Sequence, residues 1–211
     1  MLGLVAAALV TFLEGEATSR IGDAAPAALG VGAKIEDGST VATGPAARLE
    51  LELPDGSLLR LSSNASFEMK SASAGSFLGR LSLGSLWAKV HKLLAGQRFE
   101  VETQNGVAGV RGTEFRVTTD AAGRSLVRVY EGRVEVRGEG FAHLLDPNRE
   151  VRWSRRAVLG PRAFERRSER SAFMRWVRKR SGTDDRGERR DPRRRERVHE
   201  RDRIRRDLLK K

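Results

Sequence analysis

FEVETQNGVAGVRGTEFRVTTDAAGRSLVRVYEGRVEVR, residues 99–137, decides the fold of this chain. Within it Phe99 and Val101, Phe115 and Val117, Val127 and Val129, and Val134 and Val136 alternate with polar neighbours. Successive side chains of a strand point to opposite faces, so period two marks strands with one face on a core. Gly106, Gly112, Gly123 and Gly132 separate the runs. Glycine reaches positive φ without a Cβ clash, so the strands are short and tightly connected.

The same grammar extends towards the N-terminus. Leu49, Leu51 and Leu53 face one way while Arg48, Glu50 and Glu52 face the other, and Leu59 and Leu61 resume the alternation after Pro54-Asp55-Gly56-Ser57. That tetrapeptide supplies a fixed φ, a side-chain cap and a left-handed residue in order, which predicts a hairpin. Residues 8–13 and 16–21, split by Glu14-Gly15, read as an opening strand pair, and the Ala- and Gly-rich residues 22–32 as a loop. Asp37-Gly38 and Thr43-Gly44 bracket a very short strand at 39–42, and residues 71–75 read as a turn or exposed loop. Over 85–94, Leu86, Val90 and Leu93 or Leu94 also fit a helix, but strand surroundings favour a strand at 86–90. No interval is long enough for an obligatory helical crossover. The fold class is all-β: many short strands in a solenoid-like or two-sheet sandwich wrap, followed by a C-terminal helix and a charged tail.

Charge divides the chain. Residues 1–160 carry 19 Lys+Arg against 18 Asp+Glu, whereas residues 161–211 carry 21 against 10, so nearly all of the net +12 belongs to the last quarter. The basic balance describes a tail and not a domain surface. We read residues 1–8 as a remnant of an export signal or a lead-in, 9–160 as the β-domain, 161–180 as an amphipathic helix presenting Phe164, Phe173, Trp176 and Val177, and 181–211 as an Arg-rich tail, disordered or marginally helical alone. The apolar run over residues 1–13 rises only about 20 Å as a helix, short of a bilayer core. No transmembrane span is expected, and the true N-terminus stays open between a truncated export signal and a frayed strand lead-in. The absence of cysteine excludes disulfides and thiolate chemistry.

One ordered series carries a family resemblance. Asp37-Gly38, Thr43-Gly44, Asp55-Gly56-Ser57, Gly84-Ser85-Leu86-Trp87, Phe99-Glu100-Val101-Glu102-Thr103, VRGTEFRV at 110–117 and VYEGRVEV at 129–136 follow one another in an order that resembles the FecR domain, over about residues 9–137. The resemblance implies an exported all-β domain. In founding members it lies in the periplasm and relays the occupancy of an outer-membrane iron-siderophore transporter to a sigma factor. Founding members also resemble a three-part protein, with a cytoplasmic sigma-binding region and a transmembrane helix ahead of the domain. Neither precedes the first strand here, so this chain is similar to the short-architecture members, and the transmembrane relay is not carried over.

The family-motif residues Val110, Arg111, Gly112, Thr113, Phe115, Glu131 and Gly132 read as structural. Arg111 is expected to satisfy itself on Glu114 or on local carbonyls rather than on an anionic partner, and Thr113 to hydrogen-bond the turn backbone. Trp87 and Tyr130 offer an aromatic platform, though burial in the core and rim is favoured for them. His91, His143 and His199 lie in unrelated segments, and no HExxH, GxSxG or phosphate-loop spacing occurs. No catalytic residue, metal site or cofactor is assigned.

Two functions remain. The first is a non-catalytic envelope sensing or interaction domain, in signalling or regulation related to transport, with another envelope protein or a glycan as partner. The second is a cytoplasmic nucleic-acid-associated protein acting through its tail. Arg193, Arg194, Arg195, Arg197, Arg201, Arg203, Arg205 and Arg206 are the candidate contacts to an anionic surface: acidic lipid, lipopolysaccharide or nucleic acid. No aromatic residue follows Trp176, which disfavours a single-strand binder. Periplasm or cell envelope is the expected location, and cytoplasm is the expectation if Met1 is the true start and no export signal exists.

Overall fold

A computed structural model describes residues 8–73, 75–110 and 112–165, and among these every regular element is a strand. In chain order they are β1 (Ala8–Glu14), β2 (Ala17–Ile21), β3 (Ala27–Ala28), β4 (Lys34–Ile35), β5 (Ser39–Thr43), β6 (Arg48–Glu52), β7 (Leu58–Leu61), β8 (Ser66–Ser73) and β9 (Ser76–Lys89). Then come β10 (Arg98–Thr103), β11 (Gly106–Val110), β12 (Glu114–Thr119), β13 (Ser125–Glu131), β14 (Val134–Gly138), β15 (Phe141–Leu145), β16 (Arg149–Trp153) and β17 (Val158–Ala163). The all-β expectation holds, and the predicted C-terminal helix and tail lie outside the described residues apart from residues 161–165.

The strands form two faces joined through β9. The first sheet runs β4-β1-β6-β7-β9-β12-β13-β16-β17. The second runs β3-β2-β5-β8-β9-β10-β11-β14-β15. After β1 the chain crosses to the second sheet for β2 and β3, returns for β4, and keeps passing from one sheet to the other after one or two strands. Strand order along each sheet therefore follows chain order closely. This is the solenoid-like, two-sheet wrap, and among the described residues the sheets stay open at both ends.

The hinge of the wrap is Gly84. Residues 76–83 of β9 pair with β8 and residues 84–89 pair with β12, so one strand of 14 residues serves both sheets. Gly84 has φ +90°, and a Cβ there would lie 2.6 Å from Ala65 Cα, so only glycine allows this corner. The second half of β9 and the following loop return the chain to lay β10 parallel to the start of β9, while the other strand pairings are antiparallel. A parallel pair needs such a crossover. Here strand and loop supply it, and no helix is required.

One apolar cluster fills the space between the sheets, drawing Leu49, Leu59, Leu86, Phe115, Val127 and Val151 from the first and Val41, Phe67, Met69, Val101, Val136 and Leu145 from the second. Phe77 stacks on Phe99 at 4.4 Å between ring centroids, and Phe99 meets Phe115 of the opposite sheet edge-on at 6.3 Å. Aromatic pairs in such geometry add about 0.5–1.5 kcal/mol beyond area burial.

The 48–61 hairpin forms as read, with Glu52 opposite Leu58. Asp55 caps it, accepting from the Ser57 N–H and hydroxyl at 2.9 Å each. Regular structure extends further than the sequence expectation: Ala27–Ala28 of the expected loop and residues 71–73 of the expected turn are strand, and the strand expected at 86–90 is the end of Ser76–Lys89. Two connections also differ. β1 and β2 do not pair with each other, because Gly15, at φ +76° and packed on Ala47, sends the chain across to the other sheet instead of folding it back. β17 also runs through Gly160-Pro161, which the sequence reading places at the domain boundary; pairing of Arg149 with Ala163 keeps this segment in the sheet.

Candidate functional site

The family motif is a mutual packing device. Val110 ends β11 between Phe99 and Val134, and Phe115 is fully buried in β12. Gly112 and Gly132 both have φ +75°. A Cβ on Gly132 would meet the Gly112 carbonyl oxygen at 2.5 Å and Thr113 Cγ2 at 2.7 Å, so the RGT and EGR turns lie in direct contact. The carbonyl of Thr113 accepts from the Val90 N–H at 2.9 Å, which ties the turn to the end of β9. Thr113 Oγ1 departs from expectation: it is buried without a hydrogen-bond partner, because the side chain turns its methyl group onto Gly132. Glu131 is exposed beside this contact. Arg111 lies outside the described residues.

Above the core, the opposite face of the first sheet carries a cross-strand row that single-strand alternation does not reveal. Consecutive register partners are Phe12, Glu50, Arg60, Trp87, Arg116, Arg128, Glu150 and Arg162. Alternation assigns Glu50 to solvent, yet it is 0% exposed and Arg60 only 7%. Glu50 accepts from Arg60 Nε at 2.6 Å and from Thr11 Oγ1 at 2.7 Å. Glu150, also buried, accepts from Arg128 Nε at 2.6 Å and Arg162 Nε at 2.7 Å. Burial raises the Glu150 pKa, but these two hydrogen bonds and the charges of Arg128 and Arg152 outweigh it and hold the carboxyl below the ordinary glutamate value.

Trp87 and Tyr130 occupy this face as well, stacked at 4.2 Å and both buried, so they are not an exposed platform. Phe164 meets Tyr130 edge-on at 5.4 Å, and Arg128 lies 5.3 Å above the Phe164 ring. The signal for this row in the sequence is the recurrence of charged residues at solvent-parity positions of neighbouring strands. Their convergence requires the register, which no single strand encodes.

The outer face of the second sheet is wetter. Glu102 accepts from Lys70 Nζ at 2.7 Å and from Arg80 Nη2 at 3.0 Å, and Arg137 pairs with Glu100. The hydrogen bond from Lys70 is the main cause of a lowered Glu102 pKa; partial burial opposes it, and Arg80 adds to the lowering. These charges are mutually compensated along the sheet.

The two described histidines belong to separate parts of the fold. His91 Nε2 lies 3.1 Å from the Gly56 carbonyl at the hairpin turn, whereas His143 belongs to β15, in the other sheet. Among the described residues no three His, Asp or Glu side chains converge to hold a metal ion, and no helix is long and apolar enough to cross a membrane. His199 and the arginines from Arg193 to Arg206 lie outside the described residues.

Residues 39–135 match the family model for FecR protein. No curated protein matches the chain. A solved structure of a proposed anti-sigma factor from Parabacteroides distasonis ATCC 8503, at 1.65 Å resolution, shares the fold with a TM-score of 0.57 and 18% identity, covering 64% of this chain and 64% of that one. A second, at 2.50 Å resolution, does so with a TM-score of 0.52 and 20% identity, covering 57% of each. The chain thus spans less than two thirds of the length of these proteins, and the likeness is one of fold. The contacting RGT and EGR turns lie inside the matched stretch, and residues 39–135 are thus matched as a FecR domain.

Proposed function

We propose that this protein is a non-catalytic sensing and interaction domain of the cell envelope, acting in signalling or regulation by binding another protein, with transport as the process it serves. The FecR match over residues 39–135 carries the reading. The geometry is in keeping with it: on the outer face of the second sheet Glu102 pairs with Lys70 and Arg80, and Glu100 with Arg137, which makes a preorganised contact surface. The fold shared with proposed anti-sigma factors supports a regulatory role of this kind.

The test is localisation joined to partner capture. The full chain, expressed with a photo-reactive residue at Glu68 on the exposed face of the second sheet, is fractionated and irradiated. Recovery in the envelope fraction with a discrete protein adduct is the expected result. Recovery in the cytosol, bound to DNA at 50 mM salt and released by about 200 mM, overturns the reading in favour of a nucleic-acid-associated protein.

A further inference from the structure

Among the described residues four strands end the two sheets: β4 and β17 in the first, β3 and β15 in the second. A sheet edge offers unpaired N–H and C=O groups to any extended chain, and natural edges are blunted by shortness, charge or proline. β3 and β4 have two residues each. β17 contains Pro161, which has no N–H, followed by Arg162. β15 has none of these devices: its five residues, FAHLL, include no proline, lysine, arginine or carboxylate.

The register shows what this edge presents. Gly138 and Phe141 close a two-residue turn, and hydrogen-bonded pairs alternate from there, so Phe141, His143 and Leu145 exchange bonds with β14. Ala142 and Leu144 then direct their N–H and C=O groups to the open edge. Leu144 is 63% exposed there, a large apolar side chain beside unpaired backbone. At the Phe141 end a groove of about 500 Å³ opens, lined in part by Phe141, Gly138 and Arg155. Among the described residues the Arg155 guanidinium has no ion-pair partner.

We propose that β15 accepts an extended segment of a partner protein as an added strand, apolar beside Leu144 and carrying a carboxylate that reaches Arg155. Backbone bonds to Ala142 and Leu144 give the affinity, and Leu144 and Arg155 select the sequence. This rests on the reading of the domain as protein-binding and names the kind of partner. A second copy of the chain is a poorer occupant: its β15 laid antiparallel brings Asp146 towards Arg155, and Asp146 is already held by its own Arg133 at 3.1 Å.

The test uses the full chain, a displayed library of random nonapeptides, and synthetic versions of the selected peptides measured by fluorescence anisotropy. Selected peptides are expected to alternate apolar residues and to contain Asp or Glu. Ala142→Pro removes an N–H that faces away from β14, so it should weaken binding at least tenfold while the thermal melt is kept. Arg155→Glu should weaken acidic peptides about tenfold and spare peptides whose acid is replaced by Gln. Selection of no binder, or binding that Ala142→Pro leaves unchanged, overturns the proposal. So does a concentration-dependent dimer that Ala142→Pro abolishes, which would assign the edge to a second copy. An envelope-protein adduct at Glu68 that survives Ala142→Pro would leave the proposed function standing and reject this edge as its means.

Discussion

Gly132→Ala separates a turn that merely needs positive φ from one that also needs empty space. Gly132 and Gly140 have the same φ of +75°, but a Cβ on Gly140 meets nothing within 4 Å, whereas one on Gly132 meets backbone oxygen at 2.5 Å. Alanine in the left-handed region costs about 1–2 kcal/mol at either site. Reduced unfolded-state entropy returns about 0.4–1 kcal/mol in both. Only Gly132 adds the overpacking cost, about 1–3 kcal/mol, because the opposing atom is a carbonyl of the Gly112 turn and not the end of a flexible side chain. Urea unfolding should therefore place Gly132→Ala about 1–3 kcal/mol below Gly140→Ala, or about 2–12 °C lower in a melt for a chain of this size. Gly140→Ala itself should lose about 0–1.6 kcal/mol. If the two variants fall within about 0.5 kcal/mol of each other, the RGT and EGR turns are not locked together and the structural reading of the motif fails.

Other expectations follow from the charges and the core. Glu102 and Glu150 have folded-state pKa values below their unfolded ones, so the unfolded chain binds more protons at acid pH; their stabilisation is fully present above about pH 4.5 and is lost as pH falls through the folded values. Urea midpoints of the wild type should therefore drop on acidification below about pH 4.5, and Glu102→Gln/Glu150→Gln should flatten that limb; an unchanged slope refutes the assignment. Phe99→Ala removes the ring that links Phe77 to Phe115 across the sheets and should cost about 3–5 kcal/mol in chemical denaturation, with a value under 1 kcal/mol contradicting the packing. Asp55→Ala strips the cap from the 48–61 hairpin and should cost about 1 kcal/mol, read best as faster amide exchange at Ser57 and Leu58; unaltered exchange would show that the turn holds without its cap.

Strand identity was legible in this chain because each strand advertises its own period. Residues 48–61 and 99–137 fold as the alternation requires, since most inward positions are aliphatic or aromatic, with Thr103, Thr119 and Ser125 as buried hydroxyls at strand ends, and Gly56, Gly112, Gly123 and Gly132 stand where φ is positive. Partnership was less legible. β1 and β2 look like a hairpin in sequence, but Gly15 serves a crossing between sheets, and the two uses of glycine read alike until Ala47 is seen against it. β9 carries both periods over 85–94, and its pairing with β7 and β12 decides between them. The row from Glu50 to Arg162, with both its glutamates buried, was illegible for a further reason. Parity within a strand says which face a residue takes, whereas burial on that face depends on what stands opposite and above it, and those neighbours come from other strands, as Phe12 of β1 does for Glu50 of β6.

That row also sets the limits of the folding unit. The FecR match begins with β5 and ends within β14, yet Glu50 of the matched stretch accepts a hydrogen bond from Thr11 of β1, and Arg128 donates one to Glu150 of β16. Exposed pairs such as Arg80 with Glu102 are each worth under about 1 kcal/mol and hold nothing together by themselves. A buried carboxylate is different: stripped of its partner it costs about 3–5 kcal/mol, a large share of the total stability of a domain. Glu50 and Glu150 therefore join strands outside the match to strands inside it, at opposite ends of the first sheet. The same sheet needs β1 to cover the outer edge of β6, whose Leu49 and Leu51 belong to the core. The physical domain accordingly runs from β1 to β17, wider than the family signature by the flanking strands tied to it through Glu50 and Glu150.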